Sequence, residues 1–163
     1  MKTLLLLRHA KSDRKYAVGD HDRPLNDRGR RDAPAMGRLL AEQGLVPDLI
    51  LSSTAIRARD TAAEVARSCG YEALVAHNAA LYLAAPSVYI SALRQLSEQV
   101  SRILVVGHNP GLEELVTLLT GREETLPTAA LAHIELPIDA WQELSLEAHG
   151  ALRNLWRPKE MAL

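Results

Sequence analysis

Two short apolar runs in this chain stop abruptly at a histidine. Leu4-Leu5-Leu6-Leu7 runs into Arg8 and His9, and Ile103-Leu104-Val105-Val106-Gly107 runs into His108-Asn109-Pro110-Gly111. A third run, Asp48-Leu49-Ile50-Leu51-Ser52, is followed within one helical turn by Arg57. These residue types suit chemistry on a phosphoryl group. A neutral imidazole can attack phosphorus and carry the group as a phosphoramidate. Its other nitrogen must then donate to a fixed acceptor, which sets the tautomer. Guanidinium forks and the backbone N–H groups of helix starts both donate to phosphoryl oxygens. The candidate catalytic set is therefore Arg8, His9, Arg57 and His108. His9 is the expected nucleophile. Arg8, Arg57 and His108 are the expected phosphate ligands, stabilising the charge of the transition state by preorganisation.

The elements must bring these four together. Short apolar runs bounded by polar residues fit strands buried on both faces. In an open parallel sheet, ligand chemistry collects beyond the carboxyl ends of the strands. The sequence predicts strands at Leu4–Leu7, Asp48–Ser52 and Ser101–Gly107, with a weak one at Ala73–Ala76. Lys11–Pro24 is polar and reads as a loop, longer than most connections and so of functional interest. Asn26 can cap a helix to about Gln43 with Gly44 as its stop, and Pro34 should kink or split it. Met36, Leu39 and Leu40 form its apolar face. Ser52, Ser53 or Thr54 can cap a second helix, Ala55 to about Ser68, closed by Gly70. A third runs from Pro86 to Leu96. A fourth has Asn109 as cap, Pro110 as first residue and Gly121 beyond its end near Leu119. Ala130–Leu136 and Trp141–Leu146 alternate and read as an antiparallel edge pair. The segment from Trp156 to Leu163 is left unassigned. This order predicts an α/β fold: three layers, α/β/α, with a mostly parallel central sheet and an antiparallel edge.

Composition narrows the function classes. A chain of 163 residues fits one domain, spanning 1–163. A net charge of −1 argues against a general nucleic-acid footprint, although it leaves room for a local cationic pocket. Cys69 is the single cysteine, so no internal disulfide forms and a reducing compartment is the simpler reading. Arg8 interrupts the leucines near the start before they reach the length of a signal h-region, and no segment is long enough to span a membrane. The chain reads as cytoplasmic.

Each candidate has a plainer reading. A lone strand-end histidine is usually structural, and an arginine early in a helix is usually solvated, as Arg30, Arg31, Arg59 and Arg67 are expected to be. Cys69, at the far end of its helix, reads as a half-buried small residue. His9, His108 and Asp22 could form a two-histidine, one-carboxylate metal set. Two nearby arginines would repel a divalent cation, and no short His-x-His or Cys-x-x-Cys spacing supports that set. Gly107–Gly111 lacks the Lys-Ser/Thr ending of a P-loop.

Four motifs in order extend over nearly the whole chain: Leu7-Arg8-His9-Ala10-Lys11-Ser12; Arg23-Pro24-Leu25 with Gly29; Ser52-Ser53-Thr54-Ala55-Ile56-Arg57-Ala58-Arg59-Asp60-Thr61-Ala62; and Val106-Gly107-His108-Asn109-Pro110-Gly111. Together they resemble the histidine phosphatase superfamily, with its phosphoglycerate-mutase-like fold. Ala10-Lys11-Ser12 and the short chain are similar to its SixA-type phosphohistidine phosphatase group. The resemblance implies His9 as the phospho-accepting histidine and Arg8, Arg57 and His108 as the phosphate pocket, with no metal and no organic cofactor. It implies a phosphorylated protein as partner, its phosphohistidine as substrate, or alternatively a small phosphoester handled by a monoesterase or mutase. A non-catalytic phosphate-recognising module is the third reading. One departure bears on substrate. Larger members carry an acidic residue ahead of the Leu-Tyr segment to protonate the leaving oxygen, and here Ala79 and Ala80 precede Leu81-Tyr82. Lacking that acid, alcohol leaving groups should react slowly, by roughly 10²–10⁴-fold. Asp20 and Asp22 could stand in but read as solvated loop carboxylates, and Lys11 could add positive potential. With few residues left for a lid, the site is expected to be shallow and open, suiting a phosphate displayed on a protein.

Overall fold

The computed structural model describes residues 1–15, 17–147 and 149–161. Six strands form one sheet: β1 (Lys2–Arg8), β2 (Leu49–Ser52), β3 (Ala76–His77), β4 (Arg102–Gly107), β5 (Leu131–Leu136) and β6 (Ala151–Trp156). Their order across the sheet is β3-β2-β4-β1-β5-β6. β1, β2, β3 and β4 are mutually parallel, β5 runs antiparallel to β1, and β6 antiparallel to β5. The α/β class, the mostly parallel sheet and the antiparallel edge are as the sequence predicts.

Successive side chains of a strand point to opposite faces, so a strand that is apolar throughout must be covered twice. β1 shows this. Leu4 and Leu6 join a core with Ile103, Val105, Tyr89, Leu93, Leu112 and Leu115, under α3 (Pro86–Arg94) and α4 (Gly111–Thr120). Leu5 and Leu7 join the opposite core with Leu104, Val106, Met36, Leu40 and Val65, under α1 (Asp27–Glu42) and α2 (Ile56–Cys69). The helices therefore make the two outer layers.

Several local expectations hold with their stated cause. Asn26 caps α1 by accepting from the Gly29 N–H at 2.9 Å. Gly70 and Gly121 end α2 and α4 in left-handed conformations. Cys69 is buried, with its thiol on the Ala66 carbonyl. Others are corrected. Pro34 does not split α1, which runs unbroken through it because Ala33, Met36, Leu39 and Leu40 tie both halves to the core. Pro110 occupies the cap position of α4, whose first residue is Gly111, and Ala55 the cap position of α2. The weak third strand is two residues long and lies at Ala76–His77. Trp141–Leu146 is no strand. Trp141 and Leu144 are both fully buried, and their spacing of three fits the short 3₁₀ turn at Trp141–Glu143. The partner of β5 is β6, whose outer position leaves Arg153 and Asn154 exposed, and a register shift at His133/Ile134 breaks the period of two. Trp156, left unassigned from sequence, ends that strand.

Gly29 fixes the segment that follows β1. A Cβ placed on it would lie 2.2 Å from the Lys11 carbonyl oxygen, which also accepts from Asn26 N–H at 3.0 Å. Gly29→Ala is expected to destabilise the fold by about 3 kcal/mol, the upper range of overpacking against unyielding backbone. Equilibrium urea unfolding checks it: the midpoint falls with the slope unchanged.

Candidate active site

Arg8 is the last residue of β1 and His9 the next; Arg57 lies in the first turn of α2; His108 follows β4. β1, β2 and β4 are parallel neighbours, so their carboxyl ends point the same way and all four side chains line one hollow of about 290 Å3. The His9 and His108 ring centroids are 5.2 Å apart. Arg57 Nε lies 3.4 Å from His9 Nε2. The structure thus brings together every residue of the candidate set.

The tautomer of His9 follows from its partners. Nδ1 lies 2.8 Å from the Ala10 carbonyl oxygen, which can only accept, so Nδ1 carries the proton. The lone pair is then on Nε2, the nitrogen that faces Arg57. Thr61 holds this turn to α2 by accepting from Ala10 N–H at 2.9 Å and donating to the Arg57 carbonyl at 2.7 Å. His108 Nε2 contacts Ser53 Oγ at 2.8 Å, and its backbone N–H donates to Tyr89 Oη at 3.1 Å. Arg8 Nη1 donates to the Leu126 carbonyl, which also accepts from Asn109 Nδ2 at 2.8 Å.

Both imidazoles are strongly biased toward the neutral form. Burial pushes His9 down to about 3, helped by the charges of His108, Arg57 and Arg8. Burial pushes His108 down to about 4, helped by Arg57 and Arg8. A neutral imidazole whose Nε2 carries no proton, and accepts only the long 3.4 Å contact from Arg57, is competent to attack phosphorus. The same shifts link stability to pH. The folded values lie below the unfolded histidine value of about 6.5, so the unfolded chain binds more protons between roughly pH 6.5 and the folded values. Stability is whole above this window and falls as pH drops through it. The expected loss from pH 7 to pH 5 is about 2 kcal/mol for each histidine and roughly 4 kcal/mol for the two, read as a melting temperature lower by roughly 10 °C. The slope should flatten in His108→Asn.

Asp20 is the residue that sequence reasoning undervalued. Its side chain is half exposed, as expected of a loop carboxylate, but it is also held in place. Its Oδ2 accepts from Arg57 Nη2 at 3.0 Å and from Tyr82 Oη, its Oδ1 accepts from Arg23 Nε at 3.0 Å, and its carbonyl accepts from Arg57 Nη1 at 2.7 Å. Tyr82, Arg57 and Arg23 hold its carboxyl well below the usual carboxylate range. It is ionised at neutral pH, so it holds no proton for a leaving group. Three of the five N–H groups of Arg57 are thus engaged by His9 and Asp20, which fixes the guanidinium in place. No motif signals this role; only the length of the Lys11–Pro24 loop hints at it. Asp22 pairs with His21 at 3.6 Å and does not join His9 and His108. Among the described residues no group of three or more histidine, cysteine or acidic side chains is placed to hold a metal ion.

Lys11, Ser12, Arg14, Arg23 and Leu83 also line the hollow. Tyr82 packs edge-on against His108 and against His21. Leu83 is 56% exposed and adopts a left-handed φ of 50°, a strained conformation for a branched residue. Ala79 and Ala80 lie exposed in the turn before it, with no acidic group on that turn. Of the arginines expected to be solvated, Arg30 and Arg67 pair with Asp27 and Glu64, and Arg31 and Arg59 are exposed.

Comparison with known proteins bears on family and fold. The model of the histidine phosphatase superfamily (branch 1) matches residues 4–81. An uncharacterized protein of Mycobacterium tuberculosis is 39% identical over 113 residues, 69% of each chain. A chain from Nakamurella multipartitia assigned as the phosphohistidine phosphatase SixA superposes with a TM-score of 0.83, at 28% identity and over 96% of both chains. One from Agrobacterium tumefaciens with the same assignment gives 0.82 at 28% identity, over 96% of this chain and 98% of that one. Among the described residues no helix is long and apolar enough to cross a membrane. The chain belongs to the histidine phosphatase superfamily and is a phosphatase of the SixA type.

Proposed function

We propose that the protein removes phosphate from phosphohistidine on other proteins, through a covalent intermediate on His9. The observation that carries the reading is the fixed tautomer of His9: Nδ1 donates to the Ala10 carbonyl, and Nε2 is left unprotonated beside Arg57 inside the hollow. The Nε2 lone pair forms a bond to phosphorus as the bond from phosphorus to the substrate imidazole breaks. The departing nitrogen takes its proton from solvent. Water then attacks the phosphorus, the bond to Nε2 breaks, and orthophosphate leaves with His9 restored. Arg8, Arg57 and His108 bind the equatorial oxygens through both transfers, a role that preorganised donors fill without reorganisation at the moment of reaction.

Substrate class follows from the missing acid. An alkoxide leaves poorly unless protonated, and the turn that would supply the proton holds Ala79 and Ala80. The Asp20 carboxylate is ionised and committed to Arg57, Tyr82 and Arg23. An imidazole leaving group needs far less help. The whole domain, 1–163, serves this one site. The test is a substrate panel. A phosphohistidine peptide should exceed glycerol phosphate in kcat/KM by at least about 10²-fold, with an aryl phosphate between them. Rapid turnover of alkyl phosphates with inert phosphohistidine would overturn the substrate and favour a small-molecule phosphomonoesterase. Tight phosphoprotein binding with no turnover of any substrate would overturn the catalytic reading.

A further inference from the structure

A second hollow, of about 400 Å3, opens beside the phosphate site and shares Lys11, Ser12 and Arg14 with it. Its cations are Lys11, Arg14, Lys15 and Arg28, and its carboxylates Asp13 and Asp27. Those charges do not cancel in place. Asp27 is paired with Arg30, and Arg28 with Asp32. The Asp13 carboxylate accepts from the backbone N–H of Lys15 at 2.8 Å. Among the described residues, Lys11, Arg14 and Lys15 form no ion pair, whereas the two nearby arginines Arg28 and Arg30 each do.

Three unpaired cations within five residues, in a chain of net charge −1, are an uneven distribution. The start of the backbone segment that carries them is held. Ser12 bridges to Leu25, Asp13 N–H donates to the Pro24 carbonyl at 2.8 Å, and Gly29 lies against Lys11. Like charges fixed side by side repel, and an anion lying among them relieves that repulsion. Because the two hollows share lining residues, an anion in the second and a phosphoryl group at His9 can belong to one molecule.

We propose that this hollow is an anion subsite that binds a second anionic group of the same substrate, next to the phosphoryl group that is removed. The proposal deepens the phosphohistidine reading by adding a substrate feature: acidic side chains flanking the phosphorylated histidine. The same chemistry could come from the second phosphate of a small molecule.

The test uses inhibition by inorganic anions during turnover of an aryl phosphate, at constant ionic strength. Wild type should bind pyrophosphate about tenfold more tightly than orthophosphate, the gain expected of two partly exposed charge pairs. The variant Lys15→Ala, altered at an exposed residue that lines only the second hollow, should keep its affinity for orthophosphate and lose most of that preference. Equal affinities in wild type, or an undiminished preference in the variant, would overturn the subsite. Phosphohistidine peptides with Asp/Glu or Ser flanks identify the source. A preference for acidic flanks that the variant loses assigns the anion to a protein. The pyrophosphate preference without a flank preference assigns it to a small molecule. Failure of all phosphohistidine turnover would count against the proposed function, while the inhibitor comparison would still decide the subsite.

Discussion

His9→Ala is expected to lower turnover by at least about 10⁴-fold while the protein stays folded. The loss is large because no other nucleophile replaces Nε2. His108 is held by Ser53 Oγ and Tyr89, and Cys69 is buried at the far end of α2. The fold survives because His9 lies beyond the last residue of β1, outside both cores. The ring also stops being a buried group that resists protonation, so the acid-side slope of stability should flatten. Kinetics on an aryl phosphate with thermal unfolding of the same sample checks both halves. A kcat within tenfold of wild type would remove His9 from the mechanism.

Arg57→Ala is expected to cost about 10²–10³-fold in kcat, and Arg57→Lys nearly as much. Arg57 has two kinds of partner. Nε is directed at His9 Nε2, and the two terminal nitrogens grip Asp20 at its carbonyl and its carboxylate. An ammonium is a point charge and cannot span these three acceptors at once. Removing the guanidinium also leaves the Asp20 carboxylate beside the phosphate hollow with only Arg23 and Tyr82 against it, so it repels the incoming dianion. The losses in Arg57→Ala and Asp20→Ala should therefore be non-additive, because Asp20 acts by positioning Arg57. A double-mutant cycle on kcat/KM measures this. Strict additivity would mean that Asp20 acts independently of Arg57.

The sequence made the site legible because each of its four residues sits at or just beyond the end of an apolar run or in the first helical turn after one. Parallel strands turn that shared position into proximity, and the cap at Asn26 and the left-handed Gly70 were visible for equally local reasons. What stayed hidden depends on packing or on loops. Asp20 lies in a segment with no periodicity, and its value comes from Arg57 and Tyr82, which are distant in sequence. β6 was missed because an outer strand with a register shift need not alternate. Trp141 misled because it is buried by α3 and the indole contact with the Val100 carbonyl at 2.7 Å, not by strand pairing. His9, Arg57 and His108 are only 6%, 2% and 1% exposed, with Tyr82 edge-on against His108 and Asp20 gripping Arg57, so only a small part of each side chain reaches the hollow.

The most direct measurement is a rapid quench of the enzyme during turnover of a ³²P-labelled substrate, followed by mapping of the label. The account predicts a protein-bound phosphoryl group on His9, stable in alkali and labile in acid, as a phosphoramidate is. An adduct that survives acid and is lost in alkali, or a label on any residue other than His9, would contradict it.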